Sequence, residues 1–147
     1  MVTQISNPVR KDVLTFKGKP GDEVSNAVDE FLQELEERDA VGHFPPGDFI
    51  LPTIVQREFG QIRSGWTGNG IMSTRFIVPA SNTDGAFLLN STSRQNSMTF
   101  RDFSIIGQGV HEHGLAFNQP HGGVVYARTI LADSVHIQTE DRLTQNF

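Results

Sequence analysis

At 147 residues the chain is long enough for one ordinary domain with a single core. Its formal net charge is −5, and its lysines are confined to Lys11, Lys17 and Lys19. That leaves no cationic cluster able to neutralise a run of phosphates and argues against general affinity for nucleic acid. The absence of cysteine excludes a disulfide framework and a thiolate metal centre, while eleven Phe and fourteen Gly favour a β-rich, turn-rich chain over a helix bundle.

The segment Met1 to Pro8 has no cationic stretch followed by an apolar run, so it does not read as a secretory signal. No stretch approaches the ~18 apolar residues of a membrane span. The expectation is a protein made in the cytoplasm without a secretion address and without a membrane span. Residues 1–20 read as an N-terminal arm, with Val13 to Phe16 as a short strand and Gly18-Lys19-Pro20-Gly21 as turn chemistry.

Residues 22–38 then carry a helical pattern. Val24, Ala27, Val28, Phe31, Leu32 and Leu35 share one stripe at three- and four-residue spacing, and Asp29, Glu30, Glu34, Glu36 and Glu37 lie mostly opposite. Asp22 is the expected N-cap, Glu23 complements the helix dipole, and Gly42 lies just past the last turn. Burying Phe31, Leu32 and Leu35 would contribute ~1.5–3 kcal/mol each, so this helix must cover an apolar surface.

After Gly42 the period becomes alternating. Short strands are expected at 49–51, 61–64, 75–78, 86–89, 99–106, 114–117, 124–131 and 134–138, with Gly, Asn, Ser and Asp in the gaps. Gly85-Ala86-Phe87-Leu88-Leu89-Asn90 is echoed 28 residues later by His113-Gly114-Leu115-Ala116-Phe117-Asn118, and the stretch from Met98 to Ile105 is echoed about 27 residues later around Arg128 to Leu131. Repeats of this length mark solenoids, in which stacking of successive coils makes the core. The expected fold is therefore an all-β solenoid over residues 21–147: a right-handed parallel β-helix with coils over about 40–138 and a helix across its open end, where it shields unpaired backbone groups.

The run Phe16-Lys17-Gly18-Lys19-Pro20-Gly21-Asp22, the helix, and Phe44-Pro45-Pro46-Gly47-Asp48-Phe49 resemble the opening of pectate-lyase-like β-helix proteins. That superfamily includes polysaccharide lyases, glycoside hydrolases and the spikes of tailed viruses. Phe103-Ser104-Ile105-Ile106-Gly107 is similar to the edge of one of their coils, and the resemblance spans roughly residues 13–138. It implies a β-helix, and by analogy with viral members a homotrimer. Catalytic members are usually longer than this chain.

Few residues point to chemistry. Glycosidic hydrolysis needs paired carboxylates ~5–9.5 Å apart; Asp102 and Asp133, 31 residues apart, could fall on nearby coils as a catalytic or calcium pair, though solvent-facing or turn-forming Asp is the plainer reading. His111 and His113 flank Glu112 and would share a side of an extended strand, with His121 nearby; a polar loop is the plainer reading, and no metal or other cofactor is expected. Trp66, the single tryptophan, could stack on a sugar ring, or else fill the core or an interface. Arg63 and Arg101, on expected strands, could hold the carboxylate of an acidic sugar. Thr67-Gly68-Asn69-Gly70 lacks a following helix and reads as a turn, as does the sequon Asn90-Ser91-Thr92.

The candidate ligand-binding residues are thus Trp66, Arg63, Arg101, His111 and His113. The function expected is a non-catalytic virion protein, a spike, turret or tail-associated module recognising host-surface polysaccharide and contacting other virion proteins. A polysaccharide lyase or glycosidase, or a cell-surface adhesin, is the alternative. Thr139 to Phe147 carries no helical cap, so the last coil is expected to meet a partner chain or further chain.

Overall fold

A computed structural model describes residues 12–59, 65–91, 97–118, 124–133 and 137–140. Along the chain the elements are β1 (Val13–Thr15), α1 (Ser25–Glu37), β2 (Val41–His43), β3 (Gly47–Ile50), β4 (Val55–Phe59), β5 (Gly65–Thr67), β6 (Thr74–Val78), β7 (Gly85–Ser91), β8 (Ser97–Gly107), β9 (His113–Asn118), β10 (Val124–Asp133) and β11 (Ile137–Glu140). The protein is mostly β, with parallel sheets and, among the described residues, one helix.

One sheet runs β1-β2-β5-β8-β6-β3 with β10 beside β8; the other runs β11-β9-β7-β4. Every strand pair among the described residues is parallel. Parallel neighbours need a long connection. Here the connection from β3 to its partner β6 is made of further strands and turns. The two sequence echoes are these lateral pairs: Gly85 lies opposite His113 and Asn90 opposite Asn118, while Arg101 lies opposite Arg128 and Ile105 opposite Ala132. The long strand β8 serves two neighbours. Gly65–Thr67 of β5 pairs with its Thr99–Arg101, and Arg75–Val78 of β6 with its Ser104–Gly107. Between the two halves Asp102 takes a left-handed backbone, φ 64°, which turns the strand.

Side chains alternate about the sheets, and the inward ones meet their in-register partners. Phe49 lies beside Phe76 and Phe76 beside Ile105; Val55 lies beside Phe87 and Phe87 beside Leu115. All six are essentially fully buried. Phe44 joins the parts: its ring is 4.9 Å from Phe16, 5.3 Å from Phe31 on α1, 6.0 Å from Trp66 and 4.9 Å from Phe76, mostly edge-to-face. Such pairs add ~0.5–1.5 kcal/mol each beyond area burial.

The N-terminal stretch follows the same course as the strands beneath it. β1 pairs with β2, Glu23 bridges to Ile50 of β3, and α1 packs over β4 with a smaller contact to β2. Residues 13–24, expected in part as an arm, thus belong to the sheet edge. Val28, Phe31, Leu32 and Leu35 of α1 are buried, but Ala27 is exposed. Gly42 is where the helix comes closest. A Cβ there would lie 2.9 Å from a Leu35 methyl, 3.1 Å from the Phe31 ring and 3.1 Å from Trp66 Cβ.

Asp22 is not the N-cap. Its carbonyl accepts from Ile50 N–H, and Val24 N–H donates to Ile50 C=O, so the chain is still paired with β3 and the helix begins only at Ser25. At the other end Asp39, not Gly42, takes the left-handed position, φ 47°. Ala40 N–H reaches Leu35 C=O and Asp39 N–H reaches Glu36 C=O, a Schellman closure. Three strands escaped the sequence reading: β2, β4 and β5. The segment 61–64 lies outside the described residues.

Candidate functional site

The first corner, between β5 and β6, is a turn fastened by side chains. The Thr74 hydroxyl faces the carbonyls of Phe44 and Pro45 and accepts from Asn69 N–H. The second corner is fastened by Asn82. Its amide donates to the Leu51 carbonyl (2.9 Å) and the Gly85 carbonyl (2.7 Å), and its oxygen accepts from Gly85 N–H (3.0 Å). The Asn82 carbonyl in turn takes the Nδ1–H of His111, whose Nε2 accepts from Gly109 N–H. Both imidazole nitrogens are therefore spent inside the corner, with the proton on Nδ1, the only tautomer that suits a carbonyl on one side and an amide N–H on the other.

This placement agrees with the plainer reading of His111 and Glu112 as part of a loop. β9 begins only at His113, so His111 and His113 are not alternate positions of one strand; His111 is a buried turn fastener. His113 is mostly buried, its Nε2 lies 3.7 Å from Glu112, and its Nδ1 has no hydrogen-bond partner. His121 lies outside the described residues. No group of three His, Cys, Asp or Glu positioned to share an ion occurs among the described residues.

Trp66 fills the core, the plainer of its two readings. It is 0% exposed and ringed by Phe100 at 4.6 Å, Phe87 at 4.9 Å and Phe103 at 5.8 Å. It offers no face to a sugar, because in the three-residue strand β5 it takes the inward position between Gly65 and Thr67. Asp102 and Asp133 do not meet across the sheet: Asp133 lies opposite Ile106, four residues from Asp102, about 13 Å of strand. Asn90 lies within β7 opposite Asn118, not in a turn. Arg63 lies outside the described residues.

Arg101 lies on a strand with its side chain exposed. Its side chain is 52% exposed on β8, with Nε 3.6 Å from Asp102. Register places Thr67 beside it on one side and Arg128 on the other; Thr67 lies beside His43, and His43 beside Thr15. Thr15, His43, Thr67, Arg101 and Arg128 thus form one column across five strands. His43 Nδ1 and Thr67 Oγ1 are 3.3 Å apart within it. Neighbouring strands are ~4.8 Å apart, so the column spans ~19 Å. In a chain of net charge −5, the strand segments that carry it (13–15, 41–43, 65–67, 97–101 and 124–128) contain no Asp or Glu.

The other exposed charges are arranged differently. On the next strand pair Arg75 is committed to Asp48, with Nε to Oδ1 at 2.7 Å and Nη2 to Oδ2 at 2.6 Å. Arg75's hydrogen bonds hold the Asp48 carboxyl below the usual carboxylate range, against the opposing effect of partial desolvation. Arg57 of β4 points the way of the buried Val55 and Phe59 and meets Asp29 of α1 at 3.4 Å. The sequence reading missed the column because its members lie 24 to 34 residues apart and β2 and β5 have three residues each; only the echo linking Arg101 to Arg128 signalled it.

No helix among the described residues is long and apolar enough to cross a membrane. Comparison with protein-family profiles, curated proteins and solved structures returns no match.

Proposed function

We propose that the chain is a short right-handed parallel β-helix, closed at one end by α1, and that it is a non-catalytic recognition module of the kind carried by virion spikes, turrets and tails, binding an acidic surface glycan. The solenoid reading is supported by the uniform parallel pairing at 22–34 residue steps and by the three-sided course of β2-β3-β4 repeated in β5-β6-β7. The observation that carries the ligand is the column through His43, Thr67, Arg101 and Arg128, in which Arg101 Nε also faces Asp102 at 3.6 Å. Its step of ~4.8 Å is close to the rise of one pyranose unit in an extended chain. Arg101 supplies a planar donor for carboxylate or sulfate, and the threonines supply hydroxyl partners.

The test is binding of labelled oligogalacturonate, sulfated glycan, neutral glycan and single-stranded DNA to the full chain. Acidic glycans are retained, weaken as salt rises, and weaken at least tenfold with Arg101→Ala/Arg128→Ala. No binding, binding that ignores that double variant, or equal retention of DNA would overturn the ligand. Release of shortened oligosaccharides would overturn the non-catalytic assignment. The module is proposed to act as a homotrimer; a mass in solution that stays monomeric at every concentration refutes that part.

A further inference from the structure

The glycine-rich stretch Gly68-Asn69-Gly70 takes no part in the proposed face, yet it carries a chemistry of its own. Asn followed by Gly is prone to self-modification, because no side chain on the following residue hinders ring closure. The Gly70 amide nitrogen attacks Asn69 Cγ, a C–N bond forms, and the side-chain nitrogen leaves as ammonia. Water then opens the cyclic imide at either carbonyl, giving aspartate or isoaspartate, with no oxidant or reductant involved.

Asn69 is exposed in this turn. The nucleophile is not free. Gly70 N–H donates to the Asp102 carbonyl at 2.8 Å, and the left-handed backbone of Asp102 fixes that acceptor in place. Asn69 N–H is held by the Thr74 hydroxyl at 2.9 Å, Gly68 N–H by the Arg101 carbonyl at 3.0 Å, and Thr74 N–H by the Gly70 carbonyl at 3.0 Å. A hydrogen-bonded amide is slow to deprotonate, and a tied backbone cannot swing onto the side chain.

We infer that Asn69-Gly70 is a latent deamidation site, silenced by the Gly70–Asp102 hydrogen bond and exposed when the first corner opens. Isoaspartate adds a methylene to the backbone. It would displace Gly70 from Asp102 and Asn69 from Thr74 together, so a modified turn cannot close as before. The site records opening of this corner irreversibly.

The experiment is peptide mapping of the full chain after incubation at mildly alkaline pH, with isoaspartate read by methyltransferase labelling. Three samples are compared: folded protein, protein in urea, and folded Thr74→Val, which removes the hydroxyl that holds the turn. In urea, Asn69 converts ahead of Asn26, Asn82 and Asn90; in the folded chain its conversion is at least tenfold slower, and Thr74→Val restores a measurable part of the rate. Should Thr74→Val not fold, a series of sub-denaturing urea concentrations replaces it, with the rate rising as the corner opens. Equal rates in folded and unfolded protein would overturn the gating. Conversion in urea no faster than at Asn26 would overturn the site.

Discussion

Replacing Asn82 with alanine removes three hydrogen bonds at once, to the Leu51 carbonyl and to both backbone groups of Gly85. Asn82 is 4% exposed, so water does not readily replace them. Each buried backbone group deprived of its partner costs about 1–3 kcal/mol. Taking the low end for all three gives a loss of about 3 kcal/mol, some hundredfold in the folding equilibrium. Against the ~5–15 kcal/mol of an ordinary domain that is a large fraction. The assay is urea unfolding followed by far-ultraviolet circular dichroism. With a slope of ~2 kcal/mol/M the midpoint falls by about 1.5 M at unchanged slope. Asn82→Asp keeps the acceptor for Gly85 N–H but sets a carboxylate oxygen against two carbonyl oxygens, so at neutral pH it is costlier than alanine. A loss under ~1 kcal/mol for Asn82→Ala, or an aspartate variant as stable as wild type, would refute the reasoning, because it would mean the corner's backbone groups find partners without this side chain.

Gly42→Ala drives a methyl into Leu35, Phe31 and Trp66, and costs about 1–3 kcal/mol by overpacking, read as a lower midpoint with faster amide exchange in α1. Asp102→Gly relieves a left-handed backbone and leaves stability equal or raised, whereas Asp102→Val lowers it by about 2 kcal/mol in the same urea assay. Asp29→Ala strips the partner from Arg57, whose side chain is 20% exposed, and costs about 1 kcal/mol; adding Arg57→Met recovers it, and a double-mutant cycle measures the coupling. Because Arg75 lowers the pKa of Asp48 in the folded chain, the pair's contribution is complete above the ordinary carboxylate value and is lost as pH falls through the depressed one. Both side chains are more than a third exposed, so the effect is small; acid titrations of stability for wild type and Arg75→Gln converge at the acid end and separate towards neutrality.

The parts of the fold visible in the sequence are those whose signal is local or repeats. The stripe of Val28, Phe31, Leu32 and Leu35 fixes α1 because a helix brings those positions together without help from the rest of the chain. The 28-residue echo between Gly85 and His113 appears because in-register neighbours share one environment and so select similar residues. β2, β4 and β5 were invisible for the opposite reason. A strand of three to five residues has too few alternations to stand out, and its identity comes from the strands beside it. The helix start was misplaced by three residues because pairing of Asp22 and Val24 with Ile50 outcompetes an aspartate cap. Among the site residues, Arg101 was legible as an exposed strand arginine. For Trp66 the core was the plainer reading, but the sugar-stacking alternative stayed open, since a lone aromatic beside a glycine carries no mark of the side on which it emerges. His111 stood out as half of a pair, yet its role depends on Asn82, 29 residues away in sequence.

Because α1 rather than a strand lies over β4, that side of the molecule ends in a helix whose backbone groups are already paired among themselves. A sheet edge there would offer an incoming strand a ladder of donors and acceptors; a helix offers none, and its outward flank repels anything equally acidic. Among the described residues, the β4 edge of the four-stranded sheet is therefore shielded by α1 against addition of a further strand.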